Sequence, residues 1–377
     1  MLNTEEIKRY NRHLILPGFG EAGQEKLKNA KVLVIGVGGL GCPVLQYLTA
    51  AGIGEIGVVD FDIIERSNLQ RQVLYADADV GKMKAEVAAL KLSKQNPFVK
   101  ITTYPIRLSN KNALDIIEKY DLVIDGSDNF STRYLVNDAC VLMDKPLVYG
   151  SIFKFEGQVS VFNYSAASKE AGPTYRCLFP SPPDAESSLA CSDVGVLGVL
   201  PGIIGVLQAT EAIKVITGIG ETLSGKLLLF DALTMNTRLI EVERNNAWAS
   251  IAPKNKEEFL SMDYELFCEN KQDVTGIRSI SIADFQKIMA DKNEIQLIDV
   301  REQGELPQIN DLLDLHIPLS EIKNHHHRIS KSKKVIVFCR SGNRSRKAID
   351  LLQKEFGYTN LYNLEGGIID WVEEVIK

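Results

Sequence analysis

The sequence predicts an α/β protein: a doubly wound, mostly parallel sheet with an antiparallel extension, followed by a second, small α/β domain. Three observations carry this. From Lys31 to Gly126, short apolar runs alternate with helical patterns, the order that builds βαβ units. The first run, Lys31 to Ile35, enters Gly36-x-Gly38-x-x-Gly41 and then a helix opening at Cys42. Beyond residue 276 a separate alternation begins, long enough for a domain of its own. The expected division is residues 1–244, a linker at 245–275, and 276–377.

Residues 1–30 form a polar, helix-rich arm with Arg9, Arg12 and His13 close together. Strand KVLVIG leads through the glycines into a helix to about Ala51. Strand EIGVVD ends at Asp60, and a polar loop from Ile63 to Tyr75 follows. Residues 79–95 read as an amphipathic helix that stops before Asn96-Pro97. Strand VKITTYPI, a short helix at 110–119 and strand DLVIDG continue the alternation. After KPLVYGS the pattern changes: GQVSVFNY, KLLLFDA and TRLIEVER read as antiparallel strands. Between them lie a Pro- and Ser-rich loop, 165–193, and an apolar helix from Gly195 to Thr217. The last region offers a helix at 281–290, strands IQLIDV and KVIVFC, a helix at 345–355, strand NLYNL and a final helix.

The 377 residues carry a net charge of −6, which argues against nucleic acid or an anionic membrane as partner. Six scattered cysteines in a chain of this length make no disulfide framework, so a reduced, cytoplasmic compartment is expected. The charged start MLNTEEIKRYNRH lacks the apolar run of a secretory signal. The segment Val194 to Val206 is too interrupted by Gly and Pro to cross a bilayer.

Strand, glycine turn and helix together make a phosphate site. Gly36, Gly38 and Gly41 let the backbone approach an anion, and the helix N-terminus adds unpaired N–H groups. Asp60, at the next strand end, can accept a ribose hydroxyl, roughly 20 residues on. The pattern does not choose the nucleotide, and alone it would suggest NAD. The following loop argues otherwise. Hydride transfer builds no charge on the pyrophosphate, whereas nucleotidyl transfer must stabilise it. Arg71 and Lys84 can reach a triphosphate, and Asp128 can hold Mg²⁺. Equally, basic side chains on a polar loop are ordinary solvated surface.

GVGGLG, DFDIIERSNLQRQ, VGKMKAE and DGSDNFSTR resemble the MoeB/ThiF group, activating enzymes for ubiquitin-like sulfur carriers, over residues 5–244. The resemblance implies a Rossmann-like fold and ATP-dependent adenylation of a carrier's C-terminal glycine. By similarity, Gly39, Asp60, Ser67, Asn68, Leu69, Gln70, Arg71, Lys84, Asp128 and Asn129 contact ATP or its magnesium. Arg12, in KRYNRHLILPGFG, matches an arginine supplied from the other subunit of a homodimer. Cys191, ahead of a helix N-terminus that favours thiolate, matches a cysteine that some members link to the carrier. The family's two CxxC zinc pairs are broken here: the first reads Thr174-Tyr175-Arg176-Cys177, and the second, near 244–247, holds no cysteine. Cys177 alone cannot assemble a four-thiolate site, so zinc is expected to be absent.

In the last region a strand ends at Cys339, followed by Arg340, Ser341, Gly342, Asn343, Arg344 and a helix. Consecutive backbone N–H groups, two arginines and a helix N-terminus would lower a thiol pKa and stabilise an anionic persulfide. This resembles the rhodanese active loop, with LIDVRE as its upstream motif; QGELPQINDLLDLHIPL departs from the usual spacing. His325-His326-His327 reads as an exposed turn, not a metal site.

The expectation is therefore a bifunctional enzyme using ATP and Mg²⁺. Its partners would be a Gly-Gly-ending ubiquitin-like carrier of the molybdopterin, thiamine or tRNA-thiolation type, and a sulfur donor such as a cysteine desulfurase or thiosulfate. Carrier activation with an accessory sulfur-storing domain, a non-catalytic scaffold, and an oxidoreductase are the alternatives.

Overall fold

The computed structural model describes all residues except 166–171, 183–194, 250–251, 270–276, 290–293, 303–304, 306–312, 341 and 376–377. The chain divides into two units, Met1–Glu269 and Asn270–Lys377.

The first unit opens with α1 (Thr4–Leu14) and α2 (Gly20–Asn29). The Asn3 side chain accepts the Glu6 N–H, and Glu6 returns a bond to the Asn3 N–H, a reciprocal cap on the first turn. Tyr10 is buried, and Asn96 donates to its hydroxyl. The sheet has eight strands: β1 (Lys31–Ile35), β2 (Glu55–Val59), β3 (Lys100–Tyr104), β4 (Leu122–Asp125), β5 (Leu147–Phe153), β6 (Glu156–Phe162), β7 (Lys226–Asp231) and β8 (Asn236–Glu241). Their order is β3-β2-β1-β4-β5-β6-β7-β8. The first five pair in parallel and the last three antiparallel, as expected from the sequence. The central strands are near-continuous apolar runs because both faces are covered. Their helices are α3 (Gly41–Ala51), α4 (Lys84–Gln95), α5 (Ala113–Ile117) and α6 (Phe130–Leu142). The glycine loop lies between β1 and α3, at the point where strand order reverses, so the crevice opens there.

Three boundaries differ from expectation. Helix α4 starts at Lys84, not residue 79, because Gly81 takes a φ of 86° and breaks the turn. A short α7 (Tyr175–Leu178) comes next. The apolar helix α8 (Leu200–Thr217) starts five residues late, with Pro in its first turn and Gly195 before it at a φ of 75°. By length and composition α8 could cross a membrane, but half of it is buried and it packs on α3, β5 and β6. Residues 246–269, read as linker, are instead part of this unit. They form α9 (Asn246–Ala249), α10 (Lys256–Ser261) and α11 (Tyr264–Glu269), and Phe259 and Tyr264 fill the core beside α6. A stretch this polar gives little periodicity; only its aromatics mark burial.

The second unit holds a five-stranded parallel sheet. Its strands are β9 (Arg278–Ile280), β10 (Ile295–Asp299), β11 (Leu315–His316), β12 (Lys334–Phe338) and β13 (Leu361–Leu364), in the order β11-β10-β12-β13-β9. Helices α12 (Ile282–Ile288), α13 (Ile322–His325), α14 (Asn343–Phe356) and α15 (Gly367–Val375) complete it. The histidine run is not a bare turn: the His326 ring stacks on Phe356 at 3.7 Å between centroids.

Phe259→Ala leaves a cavity where the sequence suggests only a tether. We expect it to cost about 3–5 kcal/mol, read as a shift in the urea unfolding midpoint; a true linker residue would show no shift.

Candidate active sites

In the first unit the glycine loop is shaped by backbone crowding. Gly36 has a φ of 85°, and a Cβ there would sit 2.8 Å from the Gly126 carbonyl oxygen. A Cβ on Gly41 would sit 1.9 Å from the Gly36 oxygen. Side chains are excluded at both, so the ends of β1 and β4 can approach. Gly38 faces open space, with only Gln72 Nε2 at 3.7 Å from its Cβ position.

The predicted ribose acid is buried beside this loop. Asp60 accepts the Val37 N–H at 2.7 Å and the Asp62 N–H at 2.8 Å. Burial raises its pKa, and the nearby Lys84 charge and these N–H donors oppose that rise. Lys84 starts α4, is nearly buried, and its ammonium meets the Asp62 carboxylate at 2.8 Å. The loop segment 62–64 is zipped to 81–84 by backbone bonds, including Ile64 N–H to Lys82 oxygen and Lys84 N–H to Asp62 oxygen. Arg71 Cγ lies 3.6 Å from the Cβ position of Gly39, and its guanidinium donates to the Ser67 oxygen at 3.2 Å. Ser67 and Asn68 form a 3₁₀ turn; Asn68 is buried and its side chain accepts the Glu65 N–H. Leu69 packs on the main core. Gln70 abuts Gly198 just before α8.

The fold therefore gathers the glycine loop, Asp60, Lys84 and the Ser67–Arg71 stretch. Asp128 follows the same crevice edge, exposed, and no described residue bonds or pairs with it. Its charge acts on buried Arg133. Asn129 is otherwise engaged: its Oδ1 accepts the Thr132 N–H and the Ser131 hydroxyl, capping α6. Arg12 is exposed on the last turn of α1, and no contact among the described residues joins it to the glycine loop. Cys191 lies outside the described residues.

Sequence reasoning passed over several groups here. Asp62, the second acid of DFD, was visible as a charge beside Asp60. Asp125 and Arg133 lie inside the DGSDNFSTR motif and Asp125 was placed at a strand end, but their burial and charge contact were not visible, because only folding brings β4 against α6. Burial raises the Asp125 pKa, with the Arg133 charge opposing.

The broken zinc region is filled by side chains. Cys177 Sγ accepts N–H bonds from Thr174 and Asn245, both at 3.4 Å. The loops that two CxxC pairs would join thus meet through a thiol. Beside it, fully buried Arg176 donates to Asp138 at 2.7 and 2.6 Å, and Tyr264 donates to the same carboxylate at 2.9 Å. The guanidinium also lies 4.9 Å from the ring centroids of both Tyr134 and Phe267.

In the second unit Cys339 immediately follows β12 and is buried. The Gly342 N–H donates to its sulfur at 3.2 Å, and the Ser345 hydroxyl lies 3.6 Å from it. That hydroxyl is itself 2.6 Å from Asn363 Oδ1. Gly367 is required: a Cβ there would fall 2.7 Å from the Cys339 oxygen, which accepts the Ile368 N–H at 2.9 Å. Asn343 begins α14, Arg340 is half-buried, and Ser341 lies outside the described residues. Arg344 forms a two-pronged pair with Glu305, with Nη2 to Oε2 at 2.8 Å, so part of its charge is neutralised. Glu305 falls in the segment with unusual spacing, which hid it. Asp299 and Arg301 of the LIDVRE motif form a buried pair at 2.7 Å behind the loop.

A glycine loop walled by Asp60, Arg71 and Lys84, and a cysteine held in a strand-to-helix loop, define a class: a nucleotide-using activating domain joined to a sulfur-handling domain. Residues 10–249 match the ThiF family and residues 281–374 the rhodanese-like domain. The chain belongs to the ThiF family, as an adenylyltransferase joined to a sulfurtransferase. It is 42% identical to the probable adenylyltransferase/sulfurtransferase MoeZ of Mycobacterium tuberculosis, over 99% of this chain and 95% of that protein. It is 53% identical to the sulfur carrier protein adenylyltransferase of Thermus thermophilus, over 70% of this chain and 97% of the other. The crystal structure of E. coli MccB with ATP superposes with a TM-score of 0.55 at 26% identity, covering 65% of this chain and 73% of that one.

The Arg344 guanidinium holds the Glu305 carboxyl below its ordinary range by hydrogen bonding. A lowered acid pKa contributes stability above the unfolded value of about 4.3, lost as pH falls through the folded value. We expect the stability gap between the unaltered chain and Glu305→Gln to be widest above about pH 4.3 and to close in more acid solution. Unfolding midpoints measured across that range check it.

Proposed function

We propose that the first unit adenylates the C-terminal glycine of a ubiquitin-like sulfur carrier and that Cys339 then supplies the sulfur. The observation that carries this reading is the convergence of Arg71 and Lys84 on the glycine loop beside Asp60. Hydride transfer has no use for that cationic wall, whereas displacement at an α-phosphate does.

Asp60 accepts a ribose hydroxyl and fixes the nucleotide's register. The glycine-loop amides take the phosphates, with Ser67 to Arg71 closing over them. The carrier carboxylate oxygen attacks the α-phosphorus; pyrophosphate leaves, its charge met by Arg71 and Lys84. Asp128 is the residue suited to hold Mg²⁺, which would neutralise phosphate charge. Exposed Arg12 is available to the site of a second copy in a homodimer. Cys339 takes sulfur from a donor, a cysteine desulfurase or thiosulfate, as a persulfide. Its terminal sulfur attacks the acyl carbon and AMP leaves with the bonding electrons. The resulting acyl disulfide is cleaved when a thiolate, Cys191 or an external thiol, attacks the Cys339 sulfur, releasing the carrier as thiocarboxylate. A cellular dithiol then reduces the new disulfide. Gly342 and Ser345 at the sulfur support the persulfide step. Six scattered cysteines that make no disulfide framework support a reducing cytoplasmic setting. We also read the unit as zinc-free, because Thr174, Cys177 and Asn245 already bond where a metal would sit.

Carrier-dependent ATP–pyrophosphate exchange is expected with an intact Gly-Gly terminus and not with a truncated one. Exchange that ignores the terminus sinks the adenylation reading. Cys339→Ser should retain exchange while losing at least about a hundredfold in thiocarboxylate formation, since it removes the nucleophile itself; mass spectrometry of the carrier reads the product. Dialysis against EDTA should leave the unfolding temperature unchanged. A drop reversed by added zinc would refute the zinc-free reading.

A further inference from the structure

The two peptide groups that flank Val37 in the glycine loop are both held from within. Asp60 accepts the Val37 N–H at 2.7 Å. The Val37 carbonyl accepts the Tyr75 hydroxyl at 3.1 Å and the Cys42 thiol at 3.5 Å. The same hydroxyl lies 3.3 Å from the Lys84 carbonyl oxygen. Tyr75 and Cys42 are both buried. Burial pushes the phenol up and the thiol to about 12, so both stay protonated donors at neutral pH.

A trans peptide is planar, with its carbonyl and N–H pointing in opposite directions. Holding the Val37 carbonyl inward therefore turns the Gly38 N–H outward. That is also the residue at which a Cβ would meet nothing nearer than 3.7 Å. The loop thus presents one amide donor to open space, and the residue that fixes its direction sits behind it. A phenylalanine at position 75 would fill the same volume. What distinguishes the tyrosine is that the two acceptors near its hydroxyl belong to the glycine loop and to the residue bearing the Lys84 ammonium. The carbonyl of Lys84 opens α4 and has a helical partner in reach, so the extra approach is a tether between two segments.

We propose that Tyr75 is a positioning residue for phosphate recognition: its hydroxyl, seconded by the Cys42 thiol, aims the Gly38 amide and ties the glycine loop to the start of α4. This rests on the reading of the loop as an ATP site. The residue touches no nucleotide atom itself; it acts through the peptide it holds. Its effect should follow the phosphates and not the nucleoside, which separates positioning from a general contribution to the core.

The test is calorimetric titration of ATP and of adenosine into the full chain, unaltered and as Tyr75→Phe. ATP affinity is expected to fall about fivefold, the effect of losing a neutral hydrogen bond of ~1 kcal/mol, with adenosine affinity unchanged. Cys42→Ala should move ATP affinity in the same direction by less, and it provides the measurement should Tyr75→Phe fail to fold. Equal losses for both ligands, or no loss for ATP, overturn the positioning role. An unaltered chain that binds adenosine and ATP equally, or neither, overturns the ATP reading and this proposal with it, a result recognisable before any variant is made.

Discussion

The first unit depends on a backbone crossing that leaves no room for side chains. A Cβ on Gly41 would fall 1.9 Å from the Gly36 oxygen, and one on Gly36 would fall 2.8 Å from the Gly126 oxygen. With hydrogen at both positions, β1 and β4 end side by side and the loops leaving them share one crevice. The Gly36 N–H closes onto the Val59 oxygen and the Gly126 N–H onto the Ile35 oxygen, so three strand ends are locked together. Asp60, the glycine loop and the Asp125–Asn129 loop are neighbours because of this. The charge chemistry is added afterwards: Lys84 arrives on a helix pinned by the 62–64 ladder, and Arg71 on the turn that follows the 3₁₀ segment, laid against Gly39.

The second unit solves a similar problem with a different ligand in view. Its nucleophile also follows directly on a parallel strand, and a glycine, Gly367, again permits close backbone approach, here to the Cys339 carbonyl. The difference lies in what is kept dry. The first site leaves its donors and Asp128 open to a large polyanion. The second buries its sulfur and gives it an amide and a hydroxyl at short range. Pairing Arg344 with Glu305 keeps the loop from carrying two uncompensated guanidinium groups, so Arg340 is left as its less committed cation.

Strand–helix alternation, the glycine loop, Asp60 at a strand end and the cysteine loop were legible in the sequence because each is local: apolar run, turn residues, helix. What escaped was non-local or compositionally masked. The burial of Asp125 and its charge contact with Arg133, two residues of one quoted motif, arise only when α6 lies on β4. Tyr75 looks like an ordinary aromatic in a polar loop, and its two acceptors are far from it in sequence at Val37 and near it at Lys84. The helices at 246–269 are short and polar, and they declare themselves only through Phe259, Tyr264 and Phe267 meeting α6. Glu305 was obscured by irregular spacing. Asn129 was legible as part of a motif, yet its side chain is a helix cap, a use that DNFST at a helix start would equally have suggested.

In the altered CxxC region, side chains bond across the gap between the two loops. Zinc would tie two loops through four thiolates; here one thiol, Cys177, bonds to Asn245 across the same gap. Burying the Arg176–Asp138 pair is costly in desolvation, and a bare pair often breaks even with an apolar substitute. This pair is better supplied. Asp138 receives both prongs of the guanidinium and the Tyr264 hydroxyl, while Tyr134 and Phe267 offer ring faces to the cation. Two of those supporting groups come from α11, inside the stretch that composition marks as a linker. The helix expected to be a tether thus supplies the groups that let a buried guanidinium stand beside Cys177.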